Sequence, residues 1–215
     1  MNPVRRLDDS LLLNVNSFAR STGWLHTPLA DYAKDGVVLL VVLLLAGLLR
    51  QRARPDWALA AAGWAFVATL LAVGLNQPFG HLFNEARPYA THPHLLVLAS
   101  RTSDFSFPSD HAVVAGAVTG GLLLVSRRLG LFALLAGLLL CFSRVYTAAH
   151  YPWDVAGGLL LGATVALLGW LLLACPLTAL TGWLRRQPVL RRAFGPPAIE
   201  GADTGAHASP PRAPL

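Results

Sequence analysis

The strongest constraint on this chain is the length of its uncharged apolar runs. Hydrophobic residues make up 54% and charged residues only 13% of its 215 residues, whereas soluble domains average about 25% charged residues. A helix needs about 20 mostly apolar residues to cross a bilayer, and a soluble core of this size does not require several such runs. The sequence therefore predicts an all-α, polytopic helical bundle whose surroundings are a lipid bilayer.

Five apolar segments are candidates for membrane-spanning helices. In chain order they are residues 36–49, 57–75, 112–125, 129–149 and 155–174, the last closed by Cys175 and Pro176. Residues 1–30 mix apolar and charged side chains, which predicts an N-terminal interfacial helix that lies on the membrane or covers the bundle. We thus predict about five transmembrane helices in a membrane domain of residues 31–183. Residues 184–215 form a basic and then disordered cytoplasmic tail.

The positive charge of the chain indicates its topology. The formal net charge is +6, and Lys34 is the only lysine. Arginines cluster between the first and second spans, between the third and fourth, and after the fifth, which places these points in the cytoplasm. The loop 76–111 and the junction 149–154 then share the opposite face. No nucleic-acid-binding motif accompanies the charge, so we do not expect nucleic acid as a partner.

Three polar stretches, residues 85–89, 107–112 and 143–154, lie at the predicted outer ends of the spans. Within them, Arg87 and Arg144 carry guanidinium donors that match the oxygens of a phosphate. An arginine toward the end of an apolar helix needs a partner or a polar cavity. Ser109 precedes the third span, where helix-start N–H groups favour an anion. The pattern predicts a phosphate-binding site.

Two histidines and an aspartate complete the candidate site. His150 and Asp154 are four residues apart around Pro152, a spacing that allows the carboxylate to bond one ring nitrogen and set the tautomer. The other nitrogen of His150 is then free to attack phosphorus, while His111 donates a proton to the leaving oxygen. We predict a phosphohistidine intermediate. We expect no cofactor and no metal, since the sequence offers no carboxylate cluster to hold one.

The spacing of these residues resembles the type-2 phosphatidic acid phosphatase superfamily of membrane phosphatases. The family pattern is Lys, six residues, Arg-Pro; then Pro-Ser-Gly-His; then Ser-Arg, five residues, His, three residues, Asp. The matching residues here are Arg87-Pro88, Pro108-Ser109-Asp110-His111, and Ser143, Arg144, His150 and Asp154. The resemblance covers about residues 30–175. It implies phosphate binding by the arginines and the serine, with His111 as acid, His150 as nucleophile and Asp154 orienting it.

Two positions depart from the family pattern. The family lysine falls at Gly80, where His81 or Arg101 are candidate replacements, and the family glycine is Asp110. We expect Asp110 to point away from the phosphate or to pair with an arginine. The segment 107–112 resembles the bacterial branch that converts undecaprenyl diphosphate, the carrier lipid of cell-wall synthesis, to the monophosphate. This resemblance implies a lipid phosphate substrate and a bacterial inner-membrane enzyme with an extracytoplasmic site.

Two alternatives fit the same residues. A phosphatase for phosphatidic acid or phosphatidylglycerophosphate would have the same site and a different lipid groove. A lipid transporter with a decayed site is the alternative from another class, and the glycine at Gly80 favours it. The other site positions oppose it because they are intact, and transporters often contain internal repeats that this sequence lacks. The sequence carries no signal for the oligomeric state.

Overall fold

The computed structural model describes residues 3–188, and every regular element within them is helical. The α-helices are α1 (Pro3–Ser21), α2 (His26–Asp35), α3 (Val37–Gln51), α4 (Asp56–Phe83), α5 (Pro88–Thr91), α6 (Asp110–Val125), α7 (Arg127–Tyr146) and α8 (Pro152–Arg186). A short 3-10 helix, Gly23–Leu25, precedes α2. The all-α prediction is confirmed for this part of the chain. Of the predicted tail, residues 184–186 belong to α8, and residues 189–215 lie outside the described residues.

Three to four segments of the described chain qualify as membrane spans, where the sequence predicted about five. Asp56–Thr91, α7 and α8 are each long and apolar enough. Gly23–Asp35 and α3 together make a fourth candidate, bent by 50°. Helix α6 is apolar but has only 16 residues, about 24 Å at 1.5 Å per residue, which is shorter than the hydrocarbon core of about 30 Å. The chain is a multi-pass membrane protein.

Helix α8 runs further than the sequence predicted. The expected end of the last span at Pro176 is wrong, because the helix continues through it for ten more residues. An internal proline removes one helix hydrogen bond and costs about 3 kcal/mol. Packing beyond the proline offsets this cost, since Leu177 packs against Trp64 and Ala166 and Arg185 is fully buried.

Arg185 closes the far end of α8 through a set of contacts that we call the arginine clamp. Its Nη1 donates to Asp56 Oδ1 at 2.7 Å and to the carbonyl oxygen of Arg54 at 2.8 Å. Its Nη2 donates to the carbonyl oxygen of Arg52 at 2.7 Å. The clamp ties the last turn of α8 to the connection between α3 and α4.

Helices α6 and α8 pack closely because glycines remove the side chains between them. A Cβ at Gly162 would lie 2.0 Å from the carbonyl oxygen of Val113, and one at Gly116 would lie 2.1 Å from that of Leu159. No side chain fits at such distances, as is usual where membrane helices approach through small residues. At Gly158 the approach brings the start of α8 against the start of α6. We call this end of the bundle the site end.

Helix α1 covers part of the site end. Leu12 is buried in a cluster that includes Ala112 of α6. The Asn16 amide exchanges two hydrogen bonds with the backbone of Leu96, at 2.8 and 3.1 Å. The exposed apolar side chains of α1 include Leu7, Leu11, Leu13 and Phe18. One face of the helix is thus packed on the bundle while other apolar side chains remain exposed.

Candidate active site

A cavity of about 410 Å³ opens at the site end of the bundle. Its wall is formed by α2, the loop before α6, the first turn of α6 and the connection between α7 and α8. Four of the six predicted site residues line it, namely Arg87, His111, Arg144 and His150. Asp154 and Ser109 do not line the cavity and are fully buried. Packing therefore brings residues from four separate stretches of the chain to one place.

His150 lies in the connection between α7 and α8, and only 2% of it is exposed. Its Nδ1 donates a hydrogen bond to the carbonyl oxygen of Ser106 at 2.9 Å, which sets the tautomer. Its Nε2 then carries the lone pair and accepts from Arg87 Nη1 at 3.1 Å and Arg144 Nη2 at 3.2 Å. A ligand that takes these two donors would leave Nε2 facing it.

The surroundings of His150 keep the ring neutral. Burial, together with the positive charges of Arg144 and Arg87, lowers the pKa of His150 well below its ordinary value of 6.5. The imidazole is therefore uncharged at neutral pH. A neutral imidazole with a directed lone pair is the nucleophilic form of histidine.

Asp154 is coupled to His150 through Ser106. The carboxylate oxygen Oδ2 accepts from Ser106 Oγ at 2.5 Å and from the Tyr151 N–H at 2.8 Å. The same oxygen lies 3.4 Å from Nδ1 of His150, whose N–H is directed at the Ser106 carbonyl instead. The sequence predicted a direct bond from Asp154 and missed Ser106, because a backbone carbonyl leaves no signature in a motif.

The backbone of the connection after α7 turns sharply. Ala148 has a φ of 58°, in the left-handed region that few residues other than glycine adopt. The carbonyl oxygen of Arg144 accepts from the N–H groups of Ala149 at 3.0 Å and His150 at 3.3 Å. The turn folds the histidine back toward the arginine at the end of α7.

Arg87 and Arg144 are held by different partners. Arg87 donates to the carbonyl oxygen of Ala149 at 3.0 Å and forms an ion pair with Asp104 at 2.9 Å. Arg144 donates to the carbonyl oxygen of Ala33 on α2 at 3.2 Å. Within the described part of the chain, no carboxylate lies within 4 Å of the Arg144 guanidinium. This arginine therefore retains charge that an anionic ligand can neutralise.

Asp104 is a cavity residue that sequence reasoning missed. Partial burial alone would raise the pKa of its carboxyl group. Hydrogen bonds from Thr102 and Arg87 outweigh that effect and hold the pKa below its ordinary value. The carboxylate is ionised at neutral pH, so a phosphate that binds Arg87 must compete with it.

The residues around the start of α6 differ in their access to the cavity. Ser109 precedes the helix, and its buried hydroxyl has no hydrogen-bond partner among the described residues. His111 lines the cavity, and its ring lies beside the backbone of Lys34. The carboxylate of Asp110 accepts a hydrogen bond from the Asn76 amide at 2.6 Å. Asp110 thus lines the cavity and pairs with an amide rather than with an arginine.

The two candidate replacements for the missing family lysine lie elsewhere. The Arg101 guanidinium lies over the Tyr89 ring, 5.5 Å from its centroid. The His81 ring packs edge-on against Phe105, with centroids 5.3 Å apart. Neither residue lines the cavity that contains His150. Gly80 itself lines a neighbouring cavity beside Asp104.

Fold and site together define a multi-pass helical membrane protein with a polar pocket, in which two arginines converge on a buried neutral histidine. The model of the PAP2 superfamily matches residues 36–175. The chain belongs to the PAP2 superfamily, a family of metal-independent lipid phosphatases.

Three relatives illustrate the range of proteins that the chain resembles. It is 36% identical over 138 residues to the decaprenylphosphoryl-5-phosphoribose phosphatase of Mycobacterium tuberculosis, covering 64% of this chain and 72% of that protein. It is 31% identical over 161 residues to the undecaprenyl-diphosphatase of Sulfolobus acidocaldarius, covering 73% of each. It is 34% identical over 104 residues to the bacitracin transport permease protein BcrC of Bacillus licheniformis, covering 48% of this chain and 51% of that protein. The chain thus spans about half the length of the third relative. No solved structure is significantly similar to the chain.

Proposed function

We propose that the chain is a prenyl diphosphatase that converts undecaprenyl diphosphate to the monophosphate through a phosphohistidine at His150. The observation that carries this proposal is the convergence of two guanidinium groups on Nε2 of a buried histidine, at 3.1 and 3.2 Å. Two of the relatives above are named for activity on prenyl-linked phosphates, which supports a prenyl substrate.

In the first step, Nε2 of His150 attacks the terminal phosphorus in line. The new N–P bond forms as the bond to the bridging oxygen breaks, and His111 donates its proton to that oxygen. Arg87 and Arg144 turn their donors from Nε2 to the phosphoryl oxygens and stabilise their charge. We assign Ser109 to the same phosphate, since its buried hydroxyl has no partner among the described residues.

In the second step, water hydrolyses the phosphohistidine. His111, now neutral, accepts a proton from the water that attacks phosphorus, and the N–P bond breaks to release phosphate and neutral His150. The Ser106 carbonyl accepts from Nδ1 throughout. Asp154 lies 3.4 Å from Nδ1 and stabilises the positive charge that the ring carries while phosphorylated.

We further propose five spans, formed by α3 with α2, α4, α6, α7 and α8, with α1 as an interfacial helix. Residues 1–25 then form the amphipathic segment, since α2 begins at His26, and the phosphatase domain extends through the clamp to Arg186. The arginine clamp lies at the end of α8 opposite the site, beside other arginines of the 50–54 loop. By the positive-inside rule, that end is cytoplasmic and the site lies on the extracytoplasmic face of a bacterial inner membrane.

The test is phosphate release by the detergent-purified protein, without added metal, from undecaprenyl diphosphate, phosphatidic acid and phosphatidylglycerophosphate. We expect release that is fastest from the diphosphate and that falls by at least about a thousandfold in His150→Ala. A smaller loss is expected in His111→Ala. The matched control is His94→Ala, because His94 is an exposed loop residue.

Each outcome bears on a separate part of the proposal. Absence of release from all three lipids contradicts the enzyme function. Release that survives in His150→Ala contradicts the mechanism. Faster release from phosphatidic acid or phosphatidylglycerophosphate contradicts the substrate.

A further inference from the structure

The only lysine of the chain lies on the wall of the candidate active site. Lys34 is in the last turn of α2, is exposed, and is one of the residues that line the cavity with His150 and both arginines. Position 34 lies outside the motifs that predicted the site, so sequence reasoning gave this residue no role. A cation on the wall of a phosphate-binding cavity needs an explanation.

The backbone around Lys34 adjoins two site residues. The carbonyl oxygen of Ala33 accepts from Arg144 Nη1 at 3.2 Å. The backbone of Lys34 lies beside the ring of His111. Because His111 protonates the leaving oxygen in the proposed mechanism, Lys34 belongs to the leaving-group side of the cavity.

The charges in the cavity leave the Lys34 ammonium available to a ligand. Asp104 is paired with Arg87 at 2.9 Å, and Asp110 is hydrogen-bonded to Asn76. Asp31 precedes Lys34 by three residues on α2 and also lines the cavity. Among the described residues, no carboxylate lies within 4 Å of the Lys34 ammonium. The two arginines are directed at Nε2 of His150, where the reacting phosphate binds, so the lysine is a separate cationic contact.

We propose that Lys34 binds the second phosphate group of a diphosphate substrate and thereby selects diphosphates over monophosphates. The inference rests on the proposed function. In a diphosphate, the group beyond the bridging oxygen is an anion next to His111, whereas in a monophosphate it is an uncharged alcohol. An ammonium group is a compact point charge that suits a phosphate without demanding one orientation. Helix α2 thus supplies a cation to the cavity wall. The position of the family lysine is occupied in this chain by Gly80, which has no cationic side chain.

The experiment compares farnesyl diphosphate with farnesyl monophosphate, which have the same tail. In Lys34→Gln we expect kcat/KM for the diphosphate to fall by about tenfold to a hundredfold, mainly through KM, as for loss of one charged hydrogen bond. In the same variant, we expect kcat/KM for the monophosphate to change by less than about threefold. Lys34→Arg retains most of the preference because it keeps the charge. Arg101→Gln is the matched control, since it removes a nearby cation that does not line the cavity.

The outcomes separate this inference from the proposed function. Equal losses on both substrates, or no loss on either, overturn the role of Lys34 in selectivity. If the wild-type protein hydrolyses neither farnesyl substrate, release from undecaprenyl diphosphate tests the proposed function separately, and the inference is decided by calorimetric binding of methylenediphosphonate and inorganic phosphate. Weaker binding of the diphosphonate alone in Lys34→Gln supports a diphosphate contact. Unchanged binding of the diphosphonate overturns it.

Discussion

The bundle contains arginines at both of its ends, Arg185 fully buried and Arg144 half-buried, and their partners differ. Arg185, in the arginine clamp, donates to one carboxylate and two carbonyl oxygens, all within 2.8 Å. Arg144, at the site end, donates to one carbonyl oxygen and to Nε2 of a neutral histidine, at 3.2 Å each. Asp154 and Arg185 are about 46 Å apart along α8 at 1.5 Å per residue.

Arg185 and Arg144 differ in their electrostatic surroundings. The clamp is neutral as a unit, because Asp56 balances the guanidinium of Arg185. At the site end, the buried carboxylate of Asp154 bonds Ser106 and Tyr151 rather than an arginine. The arginines there are left facing the cavity. A guanidinium with no carboxylate partner, such as that of Arg144, can bind an anionic ligand, whereas the balanced pair of the clamp favours only the folded state.

The largest difference is expected from Arg144→Gln. Loss of one preorganised donor to the transferring phosphoryl group lowers kcat/KM by about 10²–10³-fold. The unfolding temperature changes little, since the guanidinium lacks a carboxylate partner within the described residues. Measurement of phosphate release and thermal unfolding on the same preparation checks both. If Arg144→Gln destabilised the protein as much as substitution of Arg185 in the arginine clamp, the distinction between the two ends would be lost.

Arg185→Gln is expected to act on stability instead. It leaves Asp56 and two carbonyl groups without their donor, and we expect a loss of about 2–3 kcal/mol in the free energy of unfolding, below the full cost of a fully buried pair because Asp56 is partly exposed. The kcat of the protein that remains folded is unchanged. Thermal unfolding in detergent measures the effect, with exposed Arg186→Gln as control. A large fall in kcat with normal stability would show that the clamp is not purely structural.

Ser106→Ala tests how the site end holds its carboxylate. The substitution removes one of the two donors to Asp154 but keeps the carbonyl that accepts from His150. We expect kcat to fall by about tenfold while KM stays constant, because orientation rather than binding is lost. Exposed Ser103→Ala is the control. An unchanged kcat would mean that Asp154 does not act through Ser106.

The smallest expected effect is a shift in the pH dependence of kcat/KM. Because burial and the two arginines lower the pKa of His150, the acid limb of kcat/KM lies below pH 6.5. Below that unfolded-state value, the unfolded chain takes up a proton that the folded chain excludes, so stability decreases as the pH falls. Arg144→Gln moves the limb upward toward 6.5. Rate and unfolding profiles between pH 4.5 and 8 check this, and a limb at or above 6.5 in the wild type would contradict it.

The membrane character and the candidate residues could be predicted from the sequence. A long apolar run predicts a membrane-spanning helix wherever it occurs in the sequence, because polar and charged groups are costly inside the bilayer. The residues His150, Arg144 and Arg87 could be proposed because their types and spacing match phosphate chemistry. Span limits were harder to predict, as Pro176 shows, since packing beyond the proline keeps α8 helical.

Only the tertiary structure decided which groups meet at the site. Glycines such as Gly158 allow α6 and α8 to approach until the Ser106 carbonyl accepts from His150. Lys34 reaches the cavity from a helix that contains no motif, and Asp104 reaches Arg87 from a loop. Apolar runs and motif spacing are properties of the chain itself. Contacts between separate segments depend on how closely helices pack, and a backbone carbonyl is the same at every residue, so neither can be predicted from the order of the residues.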